Sequence, residues 1–403
     1  MKNINDYAGI VGQAVLDDLK IAAEKLKGKK ITHVNSTPVG GGVAEILTRM
    51  VPLLNELGVV SDWQVIKGNN SFFDVTKKIH NNIHGSGEPL NKKEMDIFLE
   101  NGLYNEQNMA CDSDIMFIHD PQPITLINKK KENKWIWRCH VDASNPVFFT
   151  WQFLRGYIDK YDAAVFSSPF FSRELPIRQF LISPSIDPLS EKNRDMEPEE
   201  IKKHLEKYNI PVDKPLITQI SRFDRLKDPV GVIQAYKKVK PYVDCRLLLA
   251  GGTAVDDPEG NIVYNEVLEA AGKDKDIIIL NMPQDDSAVN AIQRASTVIM
   301  QKSLKEGFGL TVSEALWKSK PVVASNVGGI PLQITHKYSG MLCHSIDGAA
   351  FALKMILNNP DYAAKLGKNG REHVRNNFLL TRHIKEYMLL FLSLYHKEDI
   401  VFF

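Results

Sequence analysis

Short apolar runs alternate with helical patterns along the whole chain, and that alternation argues for parallel sheets wrapped by helices. In the first half the runs fall at 31–36, 63–66, 115–118, 135–139 and 163–166. After the first of them, Val43, Ile46, Leu47, Met50, Leu54 and Leu57 mark one helical face ending at Gly58. Pro52 lies inside that pattern and predicts a kink, because it cannot donate to the residue four back. Ahead of it, residues 6–27 carry Val11, Val15, Leu19, Ala22 and Leu26 at helical spacing, an amphipathic helix. Strand, glycine turn and helix are the opening of a doubly wound α/β unit. The stretch 84–93, rich in glycine, asparagine and lysine, reads as a mobile loop.

Residues 183–188, SPSIDP, read as a linker, followed by a charged segment at 191–200. A second series of apolar runs then begins: 216–220, 246–250, 277–280, 298–301, 321–324 and 341–343. The chain thus divides into α/β halves at 1–187 and 188–378, and a closing amphipathic helix at 379–403 is expected to pack back on the first half. A length of 403 residues agrees with two domains.

Composition narrows the functional classes. Fifty basic against 49 acidic residues give a formal charge of +1, so neither a nucleic-acid nor a membrane-surface partner is expected. Cys111, Cys139, Cys245 and Cys343 are scattered without a CxxC pair and read as reduced thiols. There is no secretory signal at the N-terminus and no run long enough to span a bilayer, so the expected location is the cytoplasm.

Candidate chemistry gathers where ligands collect in open α/β sheets, at the carboxyl ends of the strands. In the first half these positions hold Asn35 with Gly40, Gly41 and Gly42, then His119 with Asp120, then His140 with Asp142. If the strand ending at Cys139 continued, His140 and Asp142 would project to one side. The glycine run lacks the G-x-G-x-x-G spacing of a dinucleotide fingerprint and is read as room for a ligand oxygen. In the second half, Arg222 and Lys227 end a strand together, a rigid fork and a mobile point charge suited to a diphosphate. Gly251-Gly252 and Gly328-Gly329 end two other strands.

The stretch 305–315, KEGFGLTVSEA, carries the most. Thr311 with Glu314 has capping-box spacing and predicts a helix starting at Thr311. Ahead of it the N–H groups of Phe308, Gly309 and Leu310 are offered to an oxygen-rich ligand, and Gly307 and Gly309 allow close approach. Glu306 and Glu314 are expected to face one cavity, either as the acid and base of a glycoside hydrolase or as acceptors for sugar and ribose hydroxyls, the second fitting better. Asp256-Asp257 reads as a solvated loop with a cation as the alternative, and no histidine pair has zinc-ligand spacing, so no metal is expected.

KEGFGLTVSEA resembles the E-x7-E element of retaining glycosyltransferases of the sucrose-synthase and glycogen-synthase-like group, SRFDRLK their phosphate-binding loop, and VGGIP their late glycine loop. HVNSTPVGGGVAEIL, HDPQP, WRCHVD, PSIDPLSEKN, DDPEG and NAIQRAS extend the likeness over almost the whole chain, to the trehalose glycosyltransferring synthases. That resemblance implies a GT-B fold: two Rossmann-like doubly wound domains facing across a cleft, the acceptor on the first and the donor on the second. It implies transfer of glucose from a nucleotide diphosphate glucose to glucose, with retention and reversibly, giving trehalose. Arg222 and Lys227 would then hold the diphosphate, Glu306 and the 308–310 amides the donor glucose, Glu314 the ribose, and Gly41 and Gly42 would approach phosphate and sugars. His140 and Asp142 would face the acceptor and reacting carbon, with Asn35, His119 and Asp120 completing the acceptor side.

No cofactor is obligatory in that scheme, stimulation by Mg and homodimer formation are allowed for, and the partners are small sugars and the nucleotide sugar. Asp228 stands where relatives often have glycine, and Lys305 where many carry arginine. Two other expectations compete: the same fold with a sugar phosphate as acceptor, and a two-lobed sugar-binding protein without catalysis.

Overall fold

The computed structural model describes residues 3–39, 41–252 and 258–396. Gly40, Asp256 and Asp257, singled out above, lie outside the described residues, as does the tail after His396. The chain forms two compact units, Met1–Ser185 with Leu380–Phe403, and Ile186–Leu379.

The first unit is built on a six-stranded sheet: β1 (Lys30–Asn35), β2 (Val60–Val65), β3 (Ile115–His119), β4 (Lys134–Cys139), β5 (Ala163–Phe166) and β6 (Arg178–Leu181). Its order is β2-β1-β3-β4-β5-β6, every pairing parallel. The second unit repeats the plan with β7 (Leu216–Ile220), β8 (Arg246–Gly251), β9 (Ile277–Asn281), β10 (Val298–Gln301), β11 (Val322–Ser325) and β12 (Met341–Cys343), in the order β12-β11-β10-β7-β8-β9.

Sheets covered on both faces need apolar side chains in unbroken runs. β8 shows it: Leu247 and Leu249 enter one core cluster with Ile217, Val232 and Tyr236, while Leu248 and Ala250 enter the other with Leu216 and Ile292. In the first unit Met116, Ile118, Trp135, Trp137 and Phe166 share a core on one side of the sheet.

Each strand order reverses once, between β1 and β3 in one sheet and between β7 and β10 in the other. Loops leaving two neighbouring strands at such a point diverge and open a crevice at the carboxyl edge. In the second unit those loops are 221–228 and 302–309, the two stretches that hold Arg222, Lys227 and Glu306.

The helix expected over 6–27 is broken at Gly12, φ 86°, into Ala8–Val11 and Gln13–Lys25. The buried face of the second piece is Leu16, Leu19, Ala22 and Ala23, so Val11 and Val15 fall outside the core. β2 begins earlier than the apolar run suggested, at Val60. β6 is missing from the sequence reading because it is an edge strand with little burial and no apolar alternation. The loop read at 84–93 ends at Asn91, whose side chain and Glu94 form a capping box for the helix Lys92–Asn108. Asn82 ties that loop down, its Nδ2 donating to the carbonyls of Ser86 at 2.9 Å and Glu88 at 3.0 Å.

The last helix, Leu380–Tyr395, belongs to the first unit: Lys385 Nζ meets Asp18 at 2.7 Å, and the Tyr387 ring lies against Phe117 at 4.8 Å. Among the described residues no helix is long and apolar enough to cross a membrane.

Candidate active site

In the second unit, β7 delivers the chain into a loop whose charged side chains each find a separate partner. Arg222 is largely exposed, its Nη2 3.7 Å from Asp224 Oδ2. Asp224 Oδ1 accepts the Leu226 N–H and starts the short helical turn Arg225–Lys227. Phe223 is buried and stacks edge-on with Tyr264 at 5.0 Å, which anchors the loop between the charges. Gln219 Nε2 donates to the Lys227 carbonyl at 2.8 Å, holding the end of the turn against the strand. Lys227 Nζ then reaches Glu306 Oε2 at 2.6 Å.

Glu306 is 8% exposed. Its Oε2 also accepts from Ser303 Oγ at 3.1 Å and from Gln301 Nε2 at 3.4 Å. An ammonium, a hydroxyl and an amide therefore converge on one oxygen. That oxygen's accepting capacity is thus taken up by the protein's own donors, and no protein donor among these three reaches Oε1.

The backbone around Glu306 is packed without slack. A Cβ at Gly328, φ +59°, would lie 1.7 Å from the Glu306 carbonyl oxygen, so the VGGIP loop presses directly on the glutamate's own peptide. Gly329 N donates to the Gly307 carbonyl at 3.0 Å, and Gln333 Nε2 to the Phe308 carbonyl at 2.5 Å. On the other side of the loop pair, a Cβ at Gly251 would lie 1.8 Å from the Ser221 carbonyl oxygen. Gly251 at the end of β8 and Gly328 in the loop after β11 thus set the positions of the Arg222 and Glu306 loops by close approach.

The expected capping box does not form. The helix is Leu310–Trp317, its N-cap is Gly309 at φ 82°, and no side chain caps it. Thr311 is already inside the helix, which carries Glu314 a turn further in. There Glu314 accepts from Gln293 Nε2 at 3.3 Å and lies 3.6 Å from Lys192 Nζ. The two glutamates are buried within separate sets of partners, Glu306 with Lys227 and Glu314 with Gln293 and Lys192.

In the first unit, three histidine rings form a line. His33 Nδ1 lies 3.1 Å from His119 Nε2, and His119 Nδ1 lies 3.1 Å from His140 Nε2. Asp120, at φ 65°, accepts the His140 N–H on Oδ1 at 2.8 Å and gives its carbonyl to Trp137 Nε1. Burial drives the pKa of His33 down to about 3 and those of His119 and His140 well below the usual histidine range. Burial also raises Asp120 to about 6, against the lowering effect of the His140 N–H and Arg138.

Asp142 is not in this line. β4 ends at Cys139, so the alternation that would have placed it beside His140 stops, and its Oδ1 accepts the Ser144 N–H at 2.9 Å instead. Asn35 accepts from Trp63 Nε1 at 2.9 Å and donates to the Thr37 carbonyl at 2.8 Å, which shapes the turn ahead of Gly41. Gly41, at φ 77°, and Gly42 begin the helix Gly41–Glu56.

Several residues of these clusters receive no individual role from the sequence: His33, Gln301, Lys302, Ser303, Gln293 and Lys192. His33 was legible as a third strand histidine, two residues before Asn35. The others reveal themselves only through contacts across 21 residues or more, as Gln293 does with Glu314, or through neighbours overshadowed by KEGFG.

Comparison with known proteins bears on this geometry. The family described as "Trehalose synthase, N-terminal domain" matches residues 33–173, and "Glycosyl transferases group 1" matches residues 200–373. The trehalose synthase of Thermococcus litoralis is 43% identical over 395 residues, covering 96% of both chains. This chain belongs to the trehalose synthase family of glycosyltransferases. The family member from Rubrobacter xylanophilus is 40% identical, covering 98% of this chain and 97% of its own. Sucrose-phosphate synthase from Thermosynechococcus elongatus shares the fold, with TM-score 0.72 at 16% identity over 92% of this chain and 100% of that one. The fold is GT-B, as the resemblance implied, and the chain is a glycosyltransferase.

Proposed function

We propose that this glycosyltransferase moves glucose from a nucleoside diphosphate glucose to glucose, with retention at the donor carbon, and so forms trehalose reversibly. The observation that carries the reading is the Lys227–Glu306 contact at the switch point of the second sheet, in a chain 43% identical to a trehalose synthase.

In this scheme Lys227 and Arg222 grip the diphosphate, where negative charge grows as the glycosidic bond breaks. The protein's donors gather on Glu306 Oε2, so Oε1 is the oxygen assigned to the donor glucose. The N–H groups of Phe308, Gly309 and Leu310, with Gly307 giving room, face the same sugar, and Glu314 takes the ribose. Gly41 and Gly42 give backbone room beside phosphate and sugars. His140, supported by His119 and Asp120, serves the acceptor and reacting carbon, with Asn35 and Asp142 at its margin. The leaving phosphate takes the acceptor's proton as the new bond forms on the same face. No enzyme nucleophile is needed, and no resident metal, with Mg an optional aid to the phosphates.

The test is a panel of ADP-, UDP- and GDP-glucose, each with glucose or glucose 6-phosphate, followed chromatographically with and without EDTA. Trehalose and free nucleoside diphosphate are expected from glucose with at least one donor. Product from glucose 6-phosphate alone would replace the acceptor, and no product from any pair would refute the reading.

A further inference from the structure

Asp228 follows Lys227 in the chain and adopts φ 49°, ψ 52°, a backbone region that glycine enters without strain. Its carboxylate is engaged twice. Oδ1 accepts the Gly231 N–H at 3.0 Å and caps the helix Pro229–Val239. Oδ2 pairs with Lys302 Nζ. Lys302 is the first residue after β10 and only 7% exposed, so its charge is spent inside the loop cluster rather than on solvent.

Glu306 and Lys227 form the neighbouring pair in the same cluster. Each cation thus has its own carboxylate. Removing Lys302 would leave Asp228 an uncompensated anion beside Lys227, where it would compete for that ammonium and repel an incoming phosphate.

We propose that Lys302 is a positioning residue of the donor site: by holding and neutralising Asp228, it keeps that carboxylate from acting as a second anion next to Lys227, the ammonium assigned to a nucleoside diphosphate. The inference rests on the reading that Lys227 grips the diphosphate. It explains how this chain carries a carboxylate next to a phosphate-binding lysine: the carboxylate is a helix cap, and Lys302 cancels its charge.

Calorimetric titration with ADP, UDP and GDP tests it, the tightest binder being used to compare Lys302→Met, Asp228→Asn, the double variant and Lys227→Ala. Asparagine keeps the capping oxygen and tolerates the left-handed backbone while removing the charge. Lys302→Met is expected to weaken binding about tenfold, which is about 1.4 kcal/mol. Asp228→Asn alone should bind at least as well as the wild type, and the double variant should return to within about threefold of it. Lys302→Arg should also retain binding, since it keeps the charge that cancels Asp228; recovery in the double variant, which lacks the ion pair altogether, is what a purely structural defect would not show.

Unaltered binding by Lys302→Met would overturn the inference. So would a loss that persists in the double variant, which would put Lys302 on the phosphate itself. If Lys302→Met does not fold, Lys302→Gln with and without Asp228→Asn carries the same comparison. Wild-type-like binding by Lys227→Ala, or no binding of any diphosphate by the wild type, would overturn the underlying reading instead.

Discussion

Lys227 and Glu306 stand 79 residues apart in the chain and 2.6 Å apart in the second unit, in the loops leaving adjacent strands. The contact joins the cation assigned to the leaving diphosphate to the carboxylate assigned to the transferred sugar.

Separating their roles is the first prediction. Lys227→Ala should lower kcat/KM at least a hundredfold, since it removes a charge-assisted contact aimed at developing charge. Glu306→Gln keeps shape but loses the anion and should fall by a similar factor in kcat/KM. Steady-state kinetics with the preferred donor check both. Activity within a few-fold of wild type in either variant would remove that residue from the site.

Gly328 is the second. Its absent Cβ is what lets the VGGIP loop touch the Glu306 carbonyl, and its φ of 59° disfavours any other residue. Gly328→Ala should cost about 3 kcal/mol of stability, through clash and backbone strain together. Activity should fall even at temperatures where the variant stays folded. Denaturant unfolding with a parallel assay measures the two effects.

Helix capping supplies the third. Ser345 Oγ accepts the Gly348 N–H at 3.0 Å at the start of the helix Ile346–Leu357, whereas Thr311 caps nothing. Ser345→Ala should therefore destabilise by about 1 kcal/mol. Thr311→Ala should change stability by less than about 0.5 kcal/mol. The reverse ranking in urea melts would restore the capping box.

Acid sensitivity is the fourth. Burial lowers His33 to about 3, and pushes His119, His140 and His383 well below their ordinary value near 6.5. The unfolded chain therefore binds more protons, so their stabilisation is complete above pH 6.5 and is lost as pH falls. Each group contributes a slope approaching 1.4 kcal/mol per pH unit once below its unfolded pKa. Asp120 works the other way: raised from 3.8 to about 6, its contribution is present below pH 4 and lost as pH rises through 6. Four histidines outweigh one aspartate. Thermal unfolding should show stability falling from pH 7 to pH 5, and a flat or rising profile there would contradict the neutral, buried state of these four histidines.

The inner strands of the second sheet were legible because parallel strands covered on both faces must be apolar throughout, and Leu247 to Ala250 serve both cores; its edge strands β9 and β12 were legible because their own residues, Ile277 to Leu280 and Met341 to Cys343, are apolar as well. β6 was not, since an exposed edge strand has no such demand. In the site, the sequence named Lys227 and Glu306 but not their contact, because strand order, not spacing, makes β7 and β10 neighbours. The capping box misled for a local reason: Gly309 starts the helix two residues before Thr311 and leaves Glu314 free to turn toward Gln293 and Lys192. His33 escaped notice as one more polar residue in a strand, although its ring closes the histidine line.

The stereochemistry of the product tests the central claim most directly. Wild-type chain incubated with its preferred nucleoside diphosphate glucose and glucose labelled with carbon-13 at C1 should yield, by NMR, a labelled carbon in an α,α-1,1 linkage, while the Glu306→Gln reaction stays near background. A β-configured carbon from the donor, a linkage through any other position, or equal product from Glu306→Gln would contradict the account.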